Sequence, residues 1–143
     1  MQNRLVTAAG VALIVVAGVS GCATVQTVPR KAAHFTLDGN THTTRPPACS
    51  QDQGYRTIDI RDRDGQIQAV VLLSGDRAIP QWVKIRNIDG FNGSFWQGGV
   101  GDGHVDLARS TYTITGSAYG LSSSIGSNPN KTVTMEFKLV AEC

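Results

Sequence analysis

Apolar and polar positions alternate in steps of two along nearly the whole chain after its first thirty residues, and spacing by three and four is almost absent. The clearest run is 132–142, where Val133, Met135, Phe137, Leu139 and Ala141 share one face and Thr132, Thr134, Glu136 and Lys138 the other. The pattern predicts a neighbouring strand over 110–119, with Tyr112, Ile114 and Ala118 inward against Thr111, Thr113 and Thr115. Between them "GLSSSIGSNPNK" reads as a loop through its Gly, Ser, Asn and Pro content. Residues 56–61 alternate Ile58 and Ile60 with Thr57 and Asp59, and Asp64-Gly65 supplies a hairpin turn into a strand over 66–74. The "AVVLL" within it is apolar on both faces, which places it centrally in a sheet, although a short buried helix has the same signature. Further strands are expected at 33–37, 81–88, 93–97 and 104–108. Sixteen glycines punctuate these segments. The expectation is an all-β domain over 33–143, an antiparallel β-sandwich or partly open barrel of about seven to nine short strands.

The N-terminal part has a different character. Arg4 is the one charge ahead of an apolar run over 5–19, and small residues close that run, which is the layout of a secretory signal peptide over 1–21. A membrane span needs about 20 apolar residues, so a plain transmembrane anchor is the second reading. Val19-Ser20-Gly21-Cys22 resembles the bacterial lipobox. That resemblance implies a diacylglyceryl group on the Cys22 thiol, cleavage between Gly21 and Cys22, and acylation of the new N-terminus. The chemistry needs an accessible thiolate and small neighbours that fit narrow processing sites. Residues 22–32 would then carry the lipid and act as a short flexible tether, because "ATVQTVPRKA" has no periodicity and a folded body needs clearance from the bilayer. The expected location is the cell membrane, lipid-anchored, facing outward from the cytoplasmic membrane or at the cell surface.

With Cys22 committed to lipid, Cys49 and Cys143 remain. An even pair in an exported chain argues for one disulfide closing a loop of nearly the whole domain. The alternatives are two free buried thiols or a metal site, and the latter lacks both a CxxC and a nearby histidine pair. Removing residues 1–21 takes away Arg4 and leaves 12 basic against 11 acidic side chains. A near-neutral body with no basic run beyond Arg30-Lys31 is not a nucleic-acid binder by charge. Arg56, Arg61 and Arg63 interleave with Asp59, Asp62 and Asp64, as on a solvated strand face.

The lipobox, the short tether, "TLDG" followed by a cysteine, "YTITGSAYG", and "NKTVTMEFKLVAEC" with its terminal cysteine together resemble the mycobacterial nineteen-kilodalton lipoprotein antigen family, the LpqH type. The likeness covers most of residues 11–143, and the tether is shorter and less rich in Thr and Ser than in the type member. The resemblance implies a surface-facing envelope lipoprotein whose acyl chains are recognised by a host innate immune receptor, and it brings no catalytic set.

Individual side chains add little chemistry. Asp102, His104 and Asp106 fall at alternate positions, where a strand would put them on one face, but a metal site needs more ligands. Asp62-Arg63-Asp64-Gly65 is a fragment of a calcium loop with Ile60 where the first ligand belongs, so it reads as a turn. Ser117 follows Gly116 directly, which rules out a G-x-S-x-G elbow. His34 and His42 flank an extended segment and read as solvated. No enzyme activity and no cofactor are expected. Trp82, Phe91, Phe95 and Trp96 cluster in the sequence. Trp82 either packs on a second sheet, the preferred reading, or joins Phe95 and Trp96 in an exposed contact patch for a lipid, glycan or protein. Two roles follow: a membrane-anchored module acting by display and contact, or a carrier of an apolar lipid or glycolipid, which would need an apolar cavity of several hundred Å3.

Overall fold

The computed structural model describes residues 30–123 and 131–143, and within them the chain forms ten strands and no helix. The expected signal peptide, the tether up to residue 29 and the middle of the loop expected over 120–131 lie outside the described residues. The strands are β1 (His34–Leu37), β2 (Asn40–Thr43), β3 (Ala48–Asp52), β4 (Tyr55–Asp62), β5 (Gly65–Ser74), β6 (Arg77–Ile88), β7 (Phe91–Trp96), β8 (Asp102–Ala108), β9 (Thr111–Ser122) and β10 (Lys131–Glu142). Eight of them answer to the alternating segments. β2 and β3 are additional, and their sequences, NTHT and ACSQD, carry no large apolar residue to betray a buried face.

Turn chemistry sets the hairpins. Asp38-Gly39, Gln53-Gly54 and Asp89-Gly90 each join two strands, and both residues of each pair have positive φ, the type I′ geometry that matches strand twist. The β4–β5 turn is displaced by one residue from the expected Asp64-Gly65. Arg63 and Asp64 form it, and Gly65 opens β5 opposite Asp62. Gly65 is buried there, and a Cβ would strike the Ile88 side chain.

All strands belong to one antiparallel sheet in the order β2-β1-β10-β9-β7-β6-β5-β4-β3, with β8 paired to the first half of β9 and β7 to its last residues. β2 and β3 stand at opposite ends of this order, yet only four residues separate them in the chain. Such a connection spans at most about 18 Å, so the sheet has to roll up until its edges meet. Contacts along the seam show that it does. Arg45 N–H donates to the Arg61 carbonyl at 3.4 Å, and Arg56 Nε donates to Tyr112 Oη at 3.3 Å, from β4 to β9. No β2–β3 ladder closes the ring, so the domain is a partly open barrel.

The inner face is filled by Phe35, Leu37, Ile58, Ile60, Ile67, Ile85, Phe91, Phe95, Ile114 and Leu139, all essentially without solvent exposure. Burying each large apolar side chain contributes about 1.5–3 kcal/mol, which makes this core the main source of stability. "AVVLL" is strand rather than helix, but its two apolar faces are not both covered. Ala69 and Val71 point into the core, whereas Val70 and Leu72 are half-buried on the outer face. Between Val70 and Val71 the register with β6 shifts and Pro80 is accommodated, a bulge being where a residue without an N–H can sit in a ladder.

Candidate functional site

Cys49 and Cys143 are disulfide-bonded, with a Cα–Cα distance of 5.8 Å. The bond joins β3, the last strand in the sheet order, to the residue that follows β10, and so staples the seam that hydrogen bonds leave open. The described end of the tether is held beside it. An Arg30 guanidinium nitrogen donates to the Pro47 carbonyl at 3.2 Å, and Lys31 pairs with Glu142 at 3.1 Å. Gly21 and Cys22 lie outside the described residues.

The contact patch expected at Trp82, Phe95 and Trp96 divides. Phe95 is 1% exposed and faces the core beside Val83, its partner across the β6–β7 ladder, so it leaves the patch. Strand alternation is the reason: Trp82 and Trp96 are the next pair along the same ladder and therefore face outward. Trp96 is 50% exposed, Trp82 is half-buried, and their rings stack with centroids 6.2 Å apart and planes at 23°. Trp82 does not pack on a second sheet. Val70 stands opposite Trp82 on β5, which extends the apolar row over three strands.

Next to the tryptophans the outer face is hollowed into a groove of about 430 Å3. Lys84 and Arg86 of β6 form one side, Tyr119 and Leu121 of β9 the other, with Asn92 and Ser94 of β7 between them. Under its floor Gly93 and Gly120 face each other across the β7–β9 ladder, where a Cβ on Gly93 would collide with the Phe91 ring and one on Gly120 with the Asn92 carbonyl, so the two strands need glycine to pack this closely. Arg86 is set by a β-bulge, where Asn87 has a φ of 49° and its N–H donates to Asn92 Oδ1 at 3.0 Å. Among the described residues no carboxylate lies within ion-pair distance of Lys84 or Arg86. A larger, open depression of about 590 Å3 on the outer face of β1, β9 and β10 has a mixed lining, with Asp102, Ser117, Glu136 and Lys138 beside Phe137.

Sequence reasoning missed one cluster entirely. His42 is not solvated. Its side chain is 24% exposed, with Nδ1 3.0 Å from Asp62 Oδ2 and Nε2 2.8 Å from Asp89 Oδ2. One imidazole thus bridges β2, the end of β4 and the β6–β7 turn, three places 20 and 27 residues apart that nothing in the local pattern connects. Asp102, His104 and Asp106 do share the exposed side of β8, with His104 Nε2 3.4 Å from Asp106 Oδ1. Among the described residues no group of three or more His, Cys, Asp or Glu side chains is arranged to hold a metal ion.

The class these observations define is a rolled, disulfide-stapled antiparallel β domain that follows a stretch resembling a lipobox in the sequence. The pattern of the Mycobacterium 19 kDa lipoprotein antigen family matches residues 26–143, and the chain belongs to that family. Relatives match along all or nearly all of their length. The chain is 65% identical over 143 residues, all of both proteins, to a probable lipoprotein LppE of Mycobacterium tuberculosis. It is 30% identical, over all of this chain and 97% of the relative, to a putative lipoprotein of Mycobacterium avium subsp. hominissuis. A putative lipoprotein of Mycobacterium indicus pranii is 31% identical over the full length of both chains. The protein is a lipoprotein of this family, and membrane association follows from that class.

Proposed function

We propose that the protein is an outward-facing envelope lipoprotein, held by acyl chains on Cys22, whose β domain acts by contact and whose acyl chains are the part recognised by a host innate immune receptor. The observation that carries the reading is the lipobox cysteine ahead of a domain that belongs, over residues 26–143, to a lipoprotein antigen family. Binding to an apolar receptor pocket draws its free energy from buried methylenes, about 0.8 kcal/mol each, which acyl chains supply in quantity. The display role is preferred over the carrier role because Phe35, Phe91 and Phe95 fill the space between the inner faces, and because the 590 Å3 depression lies open on the outer face with Asp102, Glu136 and Lys138 in its lining. The test compares acylated full chain with Cys22→Ser in a receptor-activation assay. Activity of the wild type and silence of Cys22→Ser are expected. A Cys22→Ser chain of equal potency would overturn the reading and make the protein surface the ligand.

A further inference from the structure

We propose that the groove between β6 and β9, together with the adjoining tryptophan pair, binds an anionic polysaccharide chain. The proposal rests on the anchored-lipoprotein reading only for its orientation relative to the membrane. The first ground is charge. Three other surface depressions contain carboxylates: Asp102 and Glu136 in the 590 Å3 one, Asp62, Asp64 and Asp89 in one beside His42, and Glu142 in one beside Lys31 and His34. The β6–β9 groove has Lys84 and Arg86 and no carboxylate in its lining. Its other polar side chains, Asn92, Ser94 and Tyr119, can all donate hydrogen bonds, the Asn92 oxygen being already occupied by the Asn87 N–H. Cations, neutral donors and no competing acid suit a ligand that is negatively charged and rich in oxygen acceptors.

The second ground is shape and apolar surface. Along β6 the outward residues run Trp82, Lys84, Arg86, and along β7 they run Trp96, Ser94, Asn92. At about 3.3 Å per residue this trough extends roughly 13 Å from the tryptophan row to Arg86. Exposed ring surface stands at both margins, Trp96 at one end and Tyr119, 48% exposed, along one side. Sugar rings have apolar C–H faces that pack on aromatic rings while their hydroxyl and acid groups point sideways, so a short stretch of acidic polysaccharide meets both kinds of surface at once. A small inorganic anion would use the cations alone and leave the rings idle.

The third ground is placement. The chain joins the domain at the seam, where Arg30 and Lys31 are held against Pro47 and Glu142. β9, β7 and β6 are the middle of the sheet order, so in the rolled sheet they lie across from the seam. Tyr119 pairs with Thr134 and Leu121 with Thr132, eight and ten residues from Glu142 on β10, or about 26–33 Å along the strand. Residues 22–29 reach at most about 28 Å even fully extended. With Cys22 in the bilayer, the chain enters at the seam and the groove lies on the face across from that attachment, the placement that leaves it open to polymers outside the lipid surface.

The chain contains two tryptophans, Trp82 and Trp96, both on this surface, so tryptophan emission excited beyond the tyrosine band, with the signal of empty nanodiscs subtracted, reports on it. Full-length protein in phosphatidylcholine nanodiscs is titrated with oligogalacturonate as the acidic probe, with maltohexaose as the neutral one. Expected are a saturable change in tryptophan emission with oligogalacturonate, an affinity that falls as salt is raised, and at least ten-fold weaker binding of maltohexaose. Lys84→Gln/Arg86→Gln, with an unchanged melting temperature, should bind oligogalacturonate at least ten-fold more weakly, and Tyr119→Ala should weaken it without changing the salt dependence. No saturable change, or binding untouched by the double substitution, overturns the proposal. So does preferential binding to phosphatidylglycerol vesicles, which would make the groove a membrane-facing surface, or an emission change that tracks protein concentration alone, which would make it a self-association face. Mass spectrometry of the N-terminus is read separately. An unacylated chain that binds through Lys84 and Arg86 removes only the lipoprotein reading, and an acylated chain that does not bind removes only this one.

Discussion

Reducing the Cys49–Cys143 bond releases the seam of the barrel at the one place where it is covalently closed. The two residues are 94 apart in sequence, and the chain-entropy model assigns a loop of that size about 4–5 kcal/mol of constraint on the unfolded state. For a folded body the size of residues 30–143, the entropy of unfolding near the midpoint is about 240 cal/mol/K, so the expected fall in Tm is about 15–20 °C. The loss should also be local. β3 pairs with β4 alone, over five residue pairs, and is otherwise held by the disulfide. Its amides should exchange with solvent faster than those of β9 and β10 once the bond is gone. Circular dichroism melts with and without reductant, and of Cys49→Ala/Cys143→Ala, measure the first effect, and hydrogen exchange resolved by strand measures the second. A melting temperature within a few degrees of the oxidised protein, or native exported protein with two labelable thiols, would refute the reasoning.

Other consequences follow from the same geometry. Phe95 and Trp96 are chain neighbours on opposite faces of β7: Phe95→Ala should cost about 3–5 kcal/mol in denaturant unfolding, and Trp96→Ala under about 1 kcal/mol. Equal losses would mean that the faces are misassigned. His42→Ala removes both carboxylate contacts of the imidazole, and for partly exposed charge-assisted bonds a loss of about 1–2 kcal/mol is expected. A double-mutant cycle with Asp62→Ala should return a coupling of at least about 0.5 kcal/mol, and additive losses would show that the bridge contributes nothing. Cys22→Ser should emerge without acyl mass and partition into the aqueous phase of a detergent separation, whereas processing and partitioning like the wild type would remove the lipobox reading.

The alternation of Val133, Met135, Phe137, Leu139 and Ala141, and of Ile58 with Ile60, was enough to mark eight of the ten strands, because a half-buried strand writes its inner face into every second residue. The cysteine pair was legible for a similar reason: compartment and count restrict the partners before any geometry is known. β2 and β3 left no such trace, since edge strands with polar side chains on both faces carry no periodic apolar signal. Trp82 and Phe95 were misread because period two says which residues share a face but not which face is covered, and only the rolling of the sheet decided that Val83 and Phe95 go inside. The His42 bridge and the β6–β9 groove depend on residues from strands far apart in sequence. Their assembly is fixed by register, by the bulge at Arg86 and Asn87 and by the facing glycines of β7 and β9, none of which is a property of any local stretch. The sequence by itself thus determined the chain's class, eight of its strands and its disulfide, which are written in local periodicity and residue chemistry. Which surfaces meet and which face solvent was decided by tertiary structure, because non-local pairing is what brings them together.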